Sequence, residues 1–597
     1  MIRPSAVLTL LVFAARLGYG QAGGFPDSRN VNIPSTDTHF TKLDVPSLTQ
    51  WEARKQHLRK QILFAAGLMP MPPRTPLHPV VFGRMEEKDY SVEKVYLETM
   101  PGYYLGGNLF RPLHATGKHP GILVAHGHWQ YGRLESQPLF SGPLLGATLA
   151  REGYVAFAYD MTGYNDTMQI PHEFGGRGEQ LWSFGPLGVQ LWNSIRALDF
   201  VESLPDVDPD RIAMTGASGG GTQTFLLAAV DDRIKAAAPA NMVSAEMQGG
   251  DFCENAPGLR LGTFNVEIAA MAAPRPLLLV STSGDWTHNV PNFEYPAIQK
   301  IYALYGKTGD VSNAHFIFPH HNFNRKSRGA VYQFFQKYLT PDLAAHAVVE
   351  KDEAPPRLQD MLVFQGRGLP AGAKTYDEIE ESWKSMARES VASLSIADLR
   401  EELLLALAAE WPAQVQSSPH GELIVLSRPG AGDAVPARWF PGKGAPLLIV
   451  NPRGSQAAME SETFHSARAA GRAILCIDAF QTGLAKAARP KPAEHYLAFN
   501  RSDDQNRAQD ILTALAFLHQ KSASPVEIAA EGPARVWSLF AAAVAPVPVR
   551  LDTAGMQFHG SDAEFLAEFF VPGIQRAGGL ATASILLQSQ AGEKSGE

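Results

Sequence analysis

The chain has almost no cysteine: two in 597 residues, Cys253 and Cys476, more than two hundred positions apart. A disulfide framework and a Cys-based zinc site are both excluded on this reading, so packing must supply stability. Basic charge is also scarce, with 52 Lys and Arg against 60 Asp and Glu. No Lys/Arg cluster could track a phosphate backbone, which argues against nucleic-acid binding. Long apolar runs are missing too; none approaches the 18 residues a membrane span requires. The apolar stretch Ala6 to Ala15 lies behind Arg3 and ahead of Gly18-Tyr19-Gly20. That order predicts a signal peptide over residues 1–20 and an exported protein with no membrane attachment after cleavage.

What is present reads as a globular chain of several domains, 45% apolar and 19% charged. Leu48, Trp51, Leu58, Ile62 and Leu63 recur at helical spacing and predict an amphipathic helix. Two alternating segments around Pro101-Gly102 predict an antiparallel strand pair. From Pro120 onward, near-continuous apolar runs (GILVAHG, YVAFAYD, RIAMTGAS, IKAAAPA, PLLLVST, HFIF) alternate with helical segments. This is the pattern of a doubly wound, mostly parallel α/β sheet buried on both faces. The pattern stops near Pro341, and residues 341–395, rich in charge, Pro and Gly, are expected to be a linker crossed by one or two short helices. A second cycle of strands and helices over 396–597 follows the same element order. It predicts a degenerate, non-catalytic copy of the fold behind a first domain at 21–340, with Gly532 opposite Ser218 and Arg453 opposite His126.

Gly216-Ala217-Ser218-Gly219-Gly220 fits G-x-S-x-G between an apolar strand and a helix. A serine on such a sharp turn projects its hydroxyl out of the sheet, and the helix N-terminus behind it favours developing negative charge. A hydroxyl needs a positioned base, and the base an orienting carboxylate. Downstream strand ends deliver Asp285, 67 residues after Ser218, and then His320 and His321. The expected order is nucleophile Ser218, acid Asp285, base His321, with Asp251 or Glu254 as competing acids and His320 as a competing base. Oxyanion donors are expected from Gly219 N–H and from the loop His126-Gly127-His128-Trp129, where His128 N–H is the candidate. Trp129 and Trp286 are candidate substrate contacts, and Trp182, Phe184 and Phe323 lie in or near the same loops. No metal-ligand cluster and no phosphate cradle stands out, so no cofactor or metal is expected.

The stretches SIRALDFVESLPDVDPDRIAMTGASGGGTQTF, CENAPGLR, APRPLLLVSTSGDWT and HHNFN resemble the secreted bacterial α/β-hydrolases related to acetyl xylan esterases. Similarity to dienelactone hydrolases and glucuronoyl esterases is looser. The resemblance implies Ser218, Asp285 and His321 as the triad, and an exported serine carboxylic-ester hydrolase acting on acyl groups of polysaccharide or smaller esters. The elbow departs from GxSQG and from Cys-x-Ser-Arg, which leaves the substrate open. Dienelactone hydrolases carry a cysteine at the Ser218 position. A serine peptidase of the same fold and a non-enzymatic carbohydrate-binding protein are the alternatives.

Overall fold

The computed structural model describes residues 25–592 except 41–42, 114–115 and 343–345. The expected leader, residues 1–20, lies outside the described residues. Nine strands make the first sheet: β1 (Val80–Glu86), β2 (Tyr90–Met100), β3 (Tyr103–Pro112), β4 (His119–Ala125), β5 (Val155–Tyr159), β6 (Val207–Ala217), β7 (Ala236–Ala240), β8 (Leu277–Thr282) and β9 (Val311–Phe316). Their order is β1-β2-β3-β5-β4-β6-β7-β8-β9. The first three strands and the β3–β5 pair are antiparallel, and every pairing beyond β5 is parallel.

Alternate side chains of one strand feed two cores, which explains the unbroken apolar runs. From β4, Leu123 and Ala125 join one core with Trp51, Trp192 and Phe225, while Ile122 and Val124 join another with Leu145, Phe323 and Val331. The helices Pro186–Ser203 and Gly219–Val230 supply the first face, and Gly142–Arg151 and Arg325–Leu339 the second. The amphipathic helix runs Leu48–Ala65, capped by Ser47.

A second sheet follows: β10 (Gln416–His420), β11 (Leu423–Ser427), β12 (Val435–Phe440), β13 (Lys443–Val450), β14 (Arg472–Ile477), β15 (Val526–Ala530) and β16 (Val549–Leu551). Its order, β10-β11-β12-β14-β13-β15-β16, repeats the first seven positions of the first sheet with the same parallel and antiparallel pairings. The fold is therefore an α/β-hydrolase sheet followed by a second, degenerate one.

Two boundary expectations differ from the structure. Residues 341–395 carry two helices, as expected of the linker, but the second, Tyr376–Ala392, is 17 residues long rather than short and buries Ile379 and Trp383 in the first domain's core. Its apolar positions recur at helical spacing inside an otherwise polar segment. Secondly, the segment near residue 27 packs on the second domain. Arg29 joins Asp27 and the buried Asp510 and lies over Phe480, and Ser28 N–H donates to Gly432 O at 2.9 Å. Burial pushes Asp510 up to about 6, and its two carboxylate partners hold Arg29 above the ordinary arginine value. No described helix is long and apolar enough to cross a membrane.

Candidate active site

The strand order reverses around β4, so the loops after β4, β6, β8 and β9 converge at one end of the sheet. Ser218 stands between β6 and the helix Gly219–Val230 with φ 58°, ψ −126°. A non-glycine residue held there stores about 1–3 kcal/mol of backbone strain. Two hydrogen bonds impose it: Ser218 N–H donates to Ala240 O at 3.1 Å, and Ser218 O accepts from Thr222 N–H at 3.0 Å. The loop after β4 presses against this turn. A Cβ on Gly127 would sit 2.6 Å from Ala217 O and 2.9 Å from Ser218 Cβ, so only glycine permits the approach. Next to it, the His128 ring covers Gly219, with Cε1 2.7 Å from where a Cβ of that residue would lie. Gly219 opens its helix, where N–H groups have no intrahelical acceptor.

Asp285 and His321 are joined: Nδ1 of His321 lies 2.7 Å from Oδ2 of Asp285. The carboxylate is oriented from its other oxygen, which accepts from Thr287 N–H at 2.7 Å and Thr287 Oγ at 2.5 Å. With Nδ1 committed as a donor, Nε2 of His321 carries the lone pair, and it is buried without a hydrogen-bond partner. Trp286 packs against the His321 ring at 4.5 Å between centroids, the planes tilted by 31°. The His321 loop is tied to the serine turn through Asn241, whose amide donates to Asn322 O while the adjacent Ala240 O holds Ser218 N–H.

The competing residues are engaged elsewhere. Glu254 accepts from Thr222 Oγ at 3.2 Å and from Gly250 N–H at 3.0 Å; Asp251 faces His128 and His172; His320 is exposed on the loop surface. His126 is structural: it donates to Gly127 O, accepts from Met161 N–H, and burial lowers its pKa to about 3. Trp129 stacks on Phe140 at 4.1 Å. Trp182, Phe184 and Phe323 are buried packing residues.

Sequence reading missed a four-residue cluster beside this site. His128, His172, Asp251 and Cys253 bring one donor atom each to within 4.8 Å of one another. They come from three separate loops with no fixed spacing, so no motif signals them. Burial pushes the Cys253 thiol up and His172 down. The stretch CENAPGLR holds the loop behind them: buried Arg260 bonds Glu254 O and Asn255 Oδ1. The second domain reaches the same loop, since Gly258 and Arg260 N–H groups donate to Leu497 and Ala498 O at 2.8 Å. A cleft there is walled by Phe174, Phe184 and Phe252 on one side and His495 to Leu497 on the other.

Comparison with known proteins agrees with this architecture. The acetyl xylan esterase family model, AXE1, matches residues 190–243, from within the helix before β6, through Ser218, to just beyond β7. A Bacillus subtilis (strain 168) protein named as a hydrolase, YtaP, is 30% identical over 240 residues, covering 37% of this chain and 78% of that protein. Among solved structures, a methylesterase, BT1017, is 31% identical with a TM-score of 0.50, over 59% of this chain and 78% of that one.

Proposed function

The chain belongs to the α/β-hydrolase esterases, and we propose that it is an exported serine carboxylic-ester hydrolase acting on esters carried by carbohydrate. One observation carries the chemistry: the 2.7 Å Asp285–His321 contact leaves a buried, unpartnered Nε2 on a loop tied to the strained Ser218 turn. In this reading Nε2 takes the Ser218 proton as Oγ attacks the ester carbonyl. The oxyanion of the tetrahedral intermediate accepts from Gly219 and His128 N–H. Its collapse breaks the carbon–oxygen bond, and His321 returns the proton to the departing alcohol. Water, deprotonated by the same Nε2, then hydrolyses the acyl-enzyme. Asp285 fixes the tautomer and offsets the imidazolium charge. Trp286 holds the ring, and with Trp129 it offers an aromatic surface at the rim. The second domain walls the cleft without contributing chemistry.

The similarity to a protein named as a methylesterase and to the acetyl xylan esterase model sets the test panel: methyl glucuronate, acetylated xylan, p-nitrophenyl acetate and a peptide amide. Turnover of at least one ester, none of the amide, and loss of turnover in Ser218→Ala are expected. Amide cleavage at a comparable rate would favour a peptidase, and no turnover of any ester would favour a binding protein.

A further inference from the structure

The cluster beside Ser218 has a polar arrangement that hydrogen bonding alone does not resolve. His172 Nδ1 lies 2.7 Å from Thr162 O, so it carries the proton and donates it to that carbonyl. Nε2 is then a lone pair. It is buried and without a hydrogen-bond partner, and it faces Asp251 Oδ1 at 3.8 Å, beyond hydrogen-bond range. Two electron-rich atoms thus point at each other with no proton between them. On the other side, His128 Nε2 lies 3.1 Å from Cys253 Sγ and 3.4 Å from the second Asp251 oxygen, Oδ2. A tetrahedral zinc site with bonds of about 2.0–2.3 Å has ligand–ligand edges of about 3.3–3.6 Å; with one donor atom from each residue the four lie within 4.8 Å of one another, a spread that a bound ion would draw in.

We propose that His128, His172, Asp251 and Cys253 form a closed, four-ligand site for a divalent ion of the zinc class. Two neutral imidazoles, one carboxylate and one thiolate neutralise the dication, and the thiol proton leaves to solvent as the ion binds. The Thr162 carbonyl acts as the outer partner that fixes the tautomer of a ligating histidine. Four protein ligands leave no open position, so the ion is structural. It has a specific place to act. His128 is both a proposed ligand and the residue whose ring lies over Gly219, so anchoring its ring would fix the β4 loop beside the Ser218 turn. It also pins the loop that carries Phe252, against which His495 of the second domain packs edge-on at 5.0 Å. His172, Asp251 and Cys253 are positioning residues.

The test titrates zinc chloride into chelator-treated, full-length protein by calorimetry and then substitutes cobalt(II). One zinc per chain, a Kd below micromolar, and a thiolate-to-cobalt charge-transfer band are expected. Cys253→Ser and His172→Gln, checked for folding by circular dichroism, each weaken zinc binding at least tenfold, and the variants lose the rise in melting temperature that zinc gives the wild type. Absence of stoichiometric uptake by the wild type, uptake unchanged in either variant, or a cobalt spectrum without the charge-transfer band would overturn the site. Ser218→Ala keeps full zinc uptake while losing turnover, so this proposal and the esterase reading fail separately.

Discussion

The two sheets follow one strand order for seven positions and then part. Register fixes the correspondence: Ala125 pairs with Tyr159 and Gly216 in the first sheet, and Val450 pairs with Ile477 and Ala530 in the second. Counting two residues past Gly216 and past Ala530 sets Ser218 against Gly532, and both have left-handed backbones, φ 58° and 50°. The sharp turn therefore survives without its hydroxyl. Among the described residues the second sheet has no counterparts of β8 and β9, the strands whose ends deliver Asp285 and His321. An α/β-hydrolase frame can thus keep its packing after losing the serine and the last two strands. Packing is spread over the whole sheet, while the chemistry sits at a few strand ends.

The largest expected effect is on turnover. Ser218→Ala lowers kcat by about 10⁴ or more, because only the oxyanion donors and binding remain. Adding Gly532→Ser to that variant restores the serine at the matching turn of the second sheet and recovers nothing in a steady-state assay. Recovery of activity would break the comparison at its base. Asp285→Asn, which leaves His321 in the wrong tautomer, costs about 10³–10⁴ in kcat, against a far smaller loss for Glu254→Gln. Equal losses would move the acid to the loop after β7.

Stability separates the sheets next. Asp160 after β5 and Asp478 after β14 are equivalent by register, yet their partners differ. Asp160 is ion-paired with buried Arg133, which also holds Asp166 at 2.5 Å. Among the described residues Asp478 has no cationic partner in reach and accepts from Ser455 N–H and Oγ and from Leu484 N–H. Arg133→Met strands two buried carboxylates and should cost about 3–5 kcal/mol in chemical denaturation. Asp478→Asn should cost about 1 kcal/mol.

The smallest effect is a pH slope in the second domain. Burial pushes Glu402 up to about 7, with Arg576 the main opposing charge. The folded state binds this proton more tightly than the unfolded chain, whose Glu titrates near about 4.3. The stability is therefore full below that value and is lost as pH rises toward 7. Glu402→Gln should flatten the fall in melting temperature across this window, and an unchanged slope would remove Glu402 as its source.

Much of this was legible in the sequence, for identifiable reasons. Strands covered on both faces leave unbroken apolar runs, and the Ser218 turn leaves its glycines. Chain order left Asp251 and Glu254 as competing acids and His320 as a competing base, and only the Asp285–His321 contact tells them apart. The second sheet showed in element order, but its detailed alignment slipped. Register places Asn451, not Arg453, opposite His126, and Arg453 opposite His128. A loop two residues out of step cannot be corrected without strand pairing. The edge strand β1 was missed because it is half exposed and bends at a bulge. Burial of Trp182, Phe184 and Phe323 depends on elements distant in sequence, Trp182 donating to Asp562, 380 residues away. The His128–Cys253 cluster was invisible for the same reason: a single cysteine argues against a zinc site until the fold brings two histidines and a carboxylate to it.

The most direct test of a catalytic first sheet and a silent second one is labelling of the intact chain with a fluorophosphonate, followed by peptide mass spectrometry. One adduct per chain, on Ser218, with loss of activity in proportion to labelling, is the predicted result. An adduct on any residue of 396–597, or full turnover after Ser218 is completely labelled, would contradict it.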